Sequence, residues 1–154
     1  MSTSSSEPRL AIILPAYGHS GLMIDAINSV LSQVVSGPIL LTIVNDGCKF
    51  LQTAIVGRAF SGRRGDVLIE YIHQENGGLS AARNAGINHV LTYHPTVEGV
   101  YFLDADNRLS GGSAERMIKL LERSDVKLTV CPEPHWFGGY DVSVLFALIV
   151  RKSF

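Results

Sequence analysis

Asp104 and Asp106 carry the sharpest chemical signal in the sequence. They follow an apolar run, Val100 to Leu103, and are separated by one residue. Residues two apart in an extended segment project to the same side. Two carboxylates aimed at one point repel unless a cation sits between them or one takes a proton. A hard divalent ion such as Mg²⁺ or Mn²⁺ prefers oxygen ligands, and often binds through carboxylates together with substrate phosphates. Such an ion stabilises charge developing on a leaving diphosphate. The same residues also suit a plain turn and cap before a helix. Asp46, in Val44-Asn45-Asp46-Gly47, ends another apolar run. It can accept hydrogen bonds from a ribose hydroxyl or a base N–H, and Asn-Asp-Gly is equally good turn chemistry. Asn76-Gly77-Gly78 leads into a helical pattern carrying Arg83. The glycines permit close backbone approach. The helix start offers N–H groups to a phosphate, and Arg83 adds a cation. A plain strand-to-helix turn with an exposed Arg83 is the competing reading.

These residues need elements to hold them at one place. Leu10 to Leu14 is continuously apolar and stops at Pro15, as a strand covered on both faces does. Leu22, Met23, Ala26, Ile27, Val30, Leu31 and Val34 recur at helical spacing, and Gly37-Pro38 ends that helix. A strand over 39–44 and a helix with Phe50, Leu51, Ala54, Ile55 and Ala59 as its apolar face follow. Gly62 to Asp66 reads as a polar turn. A strand over 67–72 precedes a helix with Leu79, Ala82, Gly86, Ile87, Val90 and Leu91 inward. A strand over 99–103 precedes a helix with Ala114, Met117, Ile118 and Leu121 inward. A further strand is expected over 126–131, and a buried strand or short helix over 142–150. Alternation of strand and helix with short connections predicts an α/β fold: a doubly wound, mostly parallel sheet with helices on both faces. Ligands then bind at the carboxyl ends of the strands, where the polar clusters stand.

Composition excludes several classes. The chain has 154 residues, 46% hydrophobic and 18% charged, with net charge -1. The length suits one domain. No general nucleic-acid binding is expected, because no basic surface is available to displace phosphate counterions; Arg63-Arg64 and Arg151-Lys152 read as solvated surface. Cys48 and Cys131 lack metal or redox spacing, so a reducing, cytoplasmic setting is the default. His89 and His94 are five apart, and no Glu or Cys is expected to complete a metal site with them. Met1 to Pro8 reads as a disordered tail without the pattern of a signal peptide. No apolar run approaches the ~18–20 residues of a membrane helix. The GxGxxG, Walker and GxSxG fingerprints are missing.

Four segments occur in order: LAIILPAYGHSGLMIDAINSVLSQ, TIVNDGC, YIHQENGGLSAARNAGI and YFLDADNRL. Together they resemble the family 2 glycosyltransferases, inverting enzymes of the GT-A fold that use nucleotide-activated sugars. The resemblance runs from about Arg9 to the C-terminus. Gly18 stands where Asn is common, and Cys48 where Ser is common. The resemblance implies that Pro15, Ala16 and Tyr17 lie beside the base, and that Asp46 binds base or ribose. It implies that Asn76 and Arg83 lie near the nucleotide or diphosphate. Asp104 and Asp106 would be the DxD motif, with Asp104 nearer the ribose and Asp106 the main ligand of Mg²⁺ or Mn²⁺. The donor would be a UDP-, GDP- or dTDP-sugar.

The resemblance also implies a general base, an Asp or Glu well downstream of the DxD. Glu133 and Asp141 are the only acidic residues after Asp125 and stand in no such motif. Residues 9–154 are therefore expected to be a donor-binding portion without the acceptor-binding part. Membrane association would arise only through a longer parent chain, and 142–150 is expected to leave an apolar patch. Two rival readings are a nucleotide-sugar-binding module without transfer and a nucleotidyltransferase. The second requires a Lys- or Arg-bearing phosphate loop after the first strand, and PAYGHSG has neither.

Overall fold

The computed structural model describes residues 7–18 and 20–123, and short backbone strands at 129–130, 136–137, 140–141 and 146–148. The chain runs β1 (Leu10–Ala16), α1 (Ser20–Leu31), β2 (Ile39–Asp46), α2 (Leu51–Phe60), β3 (Gly62–Arg64), β4 (Val67–Gln74), α3 (Leu79–Tyr93), β5 (Gly99–Phe102) and α4 (Ser113–Leu121). Four short strands follow: β6 (Thr129–Val130), β7 (Trp136–Phe137), β8 (Tyr140–Asp141) and β9 (Phe146–Leu148). One sheet has the order β3-β4-β2-β1-β5-β9-β6, and β7 pairs with β8 separately. The central β4-β2-β1-β5 set is parallel, as the alternation of elements requires. The added strands pair antiparallel: β3 forms one edge against β4, β9 joins β5, and β6 forms the other edge against β9.

Uniform apolar runs make β1 and β2 central, and every residue of both strands is buried. Their two faces feed two cores. Leu10, Ile12 and Leu14 pack with Met23, Ala26, Ile27 and Val30 of α1 and with Ala114, Met117, Ile118 and Leu121 of α4. Ala11 and Ile13 pack with Ala82 and Val90 of α3 on the opposite face. Each fully buried Ile or Leu contributes roughly 1.5–3 kcal/mol. Gly86 lets α3 sit tight on β1, since a Cβ there would stand 2.5 Å from Ile13 Cγ2.

The inward faces of α1 and α4 match the periodicity, although α1 ends at Leu31 and leaves Val34 exposed beyond it. Leu22, Leu79 and Leu91, expected inward, are exposed. The reading of α2 is out of phase. Thr53 and Gly57 are buried and Val56 and Phe60 pack inward, whereas Phe50, Leu51 and Ile55 are exposed. The cause is Tyr71 of β4: a Cβ on Gly57 would meet its ring at 2.3 Å, so only the glycine face can seat on the sheet. The expected polar turn over 62–66 instead contributes β3, an exposed antiparallel edge strand. Within the expected strand over 126–131 only 129–130 is described, as β6, and within 142–150 only 146–148, as β9. The expected apolar patch at 142–150 lies outside the described side chains. Residues 1–6 of the expected tail also lie outside the described residues, while Pro8 is buried and its carbonyl accepts a hydrogen bond from Thr96 at 3.0 Å.

His89 and His94 do meet a carboxylate, contrary to expectation. Glu70 of β4 reaches both rings. Its position, far away in sequence, is set by the packing of α3 over β4 and is invisible to local spacing. Partial burial pushes the Glu70 carboxyl up, but hydrogen bonds from His89 and His94, and their charge, outweigh this and hold it below its ordinary range.

Candidate functional site

The strand order defines where a ligand can enter. From β1 the chain steps outward to β2 and β4, then returns across the sheet through α3 to place β5 on the other side of β1. The order reverses between β1 and β5. At such a switch point the connections leave toward opposite faces and open a crevice beyond the carboxyl ends of the strands.

A cleft of about 400 Å³ lies there. Pro15, Ala16 and Tyr17 line it from the end of β1, and Asp104, Ala105 and Asp106 from the end of β5. Asp46 comes from β2, Asn76 and Gly78 from the loop after β4, and Leu79 and Ala82 from the first turn of α3. Every sequence-selected site residue except Arg83 thus lines one cleft. Arg83 adjoins it: its Nη2 donates to Asp104 Oδ1 at 2.9 Å, and its guanidinium lies over the Phe102 ring. Its Nε is buried and has no hydrogen-bond partner among the described residues.

Asp46 is only 4% exposed, and both of its oxygens are engaged. Oδ1 accepts from Gln74 Nε2 at 2.6 Å and from Gly77 N at 2.9 Å, while Oδ2 accepts from Gly78 N at 2.8 Å. Asp46 therefore fixes the loop over 74–78 as well as lining the cleft. The Gly77 and Gly78 amides bind this carboxylate, so they are not among the donors that the start of α3 offers a phosphate. Gly47, at φ +64°, brings the turn after β2 against the same loop, and a Cβ there would stand 2.5 Å from Asn76 N.

Cys48 ties a third loop in. Its Sγ accepts from Gly18 N at 3.0 Å and from the Thr53 hydroxyl at 3.3 Å. Burial pushes the thiol up, but bonds from Thr53 and from the Phe50 and Gly18 backbone outweigh it and lower its pKa. The loop after β5 is held from α1. Ser29 Oγ accepts from Leu109 N at 2.9 Å, and Gln33 bridges Ser110 O and Ala114 N. Gln74, Ser29 and Gln33 were not legible as site supports, because each acts on a partner distant in sequence.

The electrostatics are one-sided. Among the described lining residues there are three carboxylates and no Lys or Arg. Arg83 offsets Asp104, and Asp46 is satisfied by its three donors. Asp106 is exposed at the cleft and has no ion-pair partner among the described residues. A ligand carrying a diphosphate would meet net negative charge here unless a cation came with it. Two hard-oxygen side chains, one of them unpaired, fit Mg²⁺ or Mn²⁺ and do not suit a soft metal.

Comparison with known proteins agrees with this architecture. An uncharacterised glycosyltransferase of Rickettsia felis is 31% identical over 138 residues, covering 88% of this chain and 20% of the relative. The uncharacterised glycosyltransferase EpsJ of Bacillus subtilis is 32% identical over 126 residues, covering 80% of this chain and 33% of the relative. The chain thus spans between a fifth and a third of the length of these relatives. The crystal structure of S. aureus TarS 1-349 in complex with UDP-GlcNAc superposes with TM-score 0.69 at 17% identity, covering 87% of this chain and 36% of that one. A Pyrobaculum calidifontis mannosyltransferase in complex with GDP-Man and Mn²⁺ superposes with TM-score 0.70 at 18% identity, covering 94% and 45%. These likenesses establish the GT-A fold. The model of glycosyl transferase family 2 matches residues 11–144. With that match over most of its length, the chain belongs to the family 2 glycosyltransferases.

Proposed function

We propose that this chain is the donor-binding portion of a metal-assisted, inverting glycosyltransferase. The observation that carries the reading is the convergence of Pro15, Ala16, Tyr17, Asp46, Asn76, Asp104 and Asp106 on the cleft at the switch point. Pro15, Ala16 and Tyr17 flank the base of a UDP-, GDP- or dTDP-sugar. Asp46 faces base or ribose and, through its three hydrogen bonds, keeps Asn76 and the loop in place. Asp104 contacts the ribose, oriented by Arg83.

Asp106, with Asp104, would hold Mg²⁺ or Mn²⁺. Such an ion, when bound, neutralises the diphosphate and stabilises its charge as it leaves. In the reaction an acceptor hydroxyl oxygen attacks the anomeric carbon on the face opposite the diphosphate. The bond to the diphosphate oxygen breaks, and the hydroxyl proton passes to a carboxylate of the acceptor-binding part. No described residue is assigned that base. Among the described residues no helix is long and apolar enough to cross a membrane. The reading places the donor site in the cytoplasm.

Calorimetry with UDP-, GDP- and dTDP-sugars, with and without Mn²⁺, tests the proposal. One donor class is expected to bind in a Mn²⁺-dependent way, and Asp106→Ala is expected to remove that dependence. Absence of nucleotide binding by folded protein, or unchanged affinity in Asp106→Ala, would refute the assignment.

A further inference from the structure

Glu70, His89 and His94 form a second polar cluster, on the sheet face covered by α3. Glu70 projects from the middle of β4 beside Leu68 and Ile72, which pack under α3. His89 comes from the last turns of α3, and His94 is the residue that caps it. The His89 and His94 Nε2 atoms stand 2.6 and 2.9 Å from the same Glu70 oxygen, Oε2. The three donor atoms all lie within 4.8 Å of one another. Side-chain exposures of 30%, 19% and 10% make the cluster sheltered, with one side open to solvent. The cleft lies at the other end of α3, beyond Gly78 and Ala82.

We propose that these three residues are a binding site for a borderline divalent transition-metal ion, with Zn²⁺ as its representative. Two imidazoles and a carboxylate, with a fourth position left to solvent, are a donor set zinc accepts. Mixed nitrogen and oxygen donors favour such ions over Mg²⁺, which prefers oxygen alone. Bond lengths of about 2.0–2.1 Å in a tetrahedron set donors roughly 3.3 Å apart. The present Nε2–Oε2 distances of 2.6 and 2.9 Å need to open by about 0.7 and about 0.4 Å, a change side-chain torsions absorb without moving the backbone. Both rings already turn Nε2 to the common point, so the site is largely organised before an ion arrives. An ion there would fasten β4 to the C-terminal end of α3, whose first turn lines the cleft.

The test uses chelator-treated full chain without a polyhistidine tag, titrated with Zn²⁺ against a chromophoric indicator. One Zn²⁺ per chain is expected, with a melting temperature that rises with Zn²⁺. His94→Ala and Glu70→Gln are each expected to weaken binding by at least the roughly 10–100-fold that loss of an outer-shell partner costs. Asp104→Asn with Asp106→Asn is expected to leave it unchanged. Should His94→Ala fail to fold, His89→Gln serves in its place, and the melting shift of the wild type needs no variant. No stoichiometric Zn²⁺ binding, binding that survives Glu70→Gln and the histidine variants, or binding lost with the Asp104/Asp106 pair would each overturn the site.

Discussion

Asp46→Asn separates holding a loop from holding a ligand. The Asp46 carboxylate is buried and accepts three hydrogen bonds from the segment Gln74 to Gly78. An asparagine keeps the shape but has one oxygen. If that oxygen takes the Oδ1 place, the new NH₂ faces Gly78 N–H, and two donors meet. If it takes the Oδ2 place, Gln74 and Gly77 lose their acceptor. Leaving one such group unsatisfied costs about 1–3 kcal/mol. Because Gly77 and Gly78 are exposed, water recovers part of this once the loop opens. The penalty therefore falls on the loop and not on the core. At 1.4 kcal/mol per factor of ten, local opening should rise roughly 5- to 150-fold. Amide hydrogen exchange on ligand-free protein reads this directly: Gly77 and Gly78 should exchange faster by that factor, while Ile12 and Leu41 stay protected. Unchanged protection at Gly77 and Gly78 would show that Asp46 does not hold the loop, and the reasoning would fail.

Three further outcomes follow from single close contacts. Gly86→Ala puts a Cβ 2.5 Å from Ile13 Cγ2, and overpacking of this kind costs about 1–3 kcal/mol; urea denaturation should show that loss, and a neutral variant would mean α3 can lift from β1 freely. Gly47→Ala adds a clash with the Asn76 backbone to left-handed strain of roughly 1–2 kcal/mol, so it should weaken donor-nucleotide binding in calorimetry more than Gly18→Ala, which at φ +72° carries the same strain but whose added Cβ meets nothing. The Cys48 thiol has its pKa lowered, so its thiolate is favoured by folding, and that contribution is present above the unfolded pKa and lost as pH falls through the folded one. Alkylation of Cys48 in folded protein should accordingly reach half its plateau rate at lower pH than in urea-unfolded protein, and Thr53→Val should move the folded midpoint upward; a folded midpoint at or above the unfolded one would contradict the hydrogen-bond pattern.

The sequence was most informative where one residue type repeated without interruption. Leu10 to Leu14 and Ile39 to Val44 read as apolar strands, and alternation with helices put the polar residues closing them at the carboxyl edge. Met23, Ala26, Ile27 and Val30, and Ala114, Met117, Ile118 and Leu121, were equally legible, because their apolar stripes are the ones buried. In α2 the rule failed. Large apolar residues marked one face, but small Thr53 and Gly57 mark the other, and Tyr71 fills the space they leave. Size complementarity between elements decided the phase, and periodicity carries no information about the partner's shape. The β3 hairpin was hidden for a related reason: Gly62, Arg63 and Arg64 are an exposed edge with no apolar alternation. The Glu70 contact to His89 and His94 was hidden because it crosses from β4 to the far end of α3.

The same distinction bears on the site. Its lining residues were found from strand ends, but what fixes them is a set of ties between those ends. Asp46 holds the loop after β4, Cys48 holds Gly18 after β1, Arg83 of α3 holds Asp104 after β5, and Ser29 of α1 holds Leu109 beyond it. Each tie joins a segment leaving one strand or helix to another that the switch point has brought near. Several motif residues thus have two tasks, forming the cleft and keeping its walls in register. Loss of binding on substituting Asp46 or Arg83 cannot by itself be credited to a ligand contact. Asp106 is the informative position, because among the described residues it has no ion-pair partner and its removal breaks no tie. An effect of Asp106→Ala that appears only with a divalent cation isolates the chemistry from the architecture, and comparison with Asp46→Asn measures how much of the apparent binding energy is register.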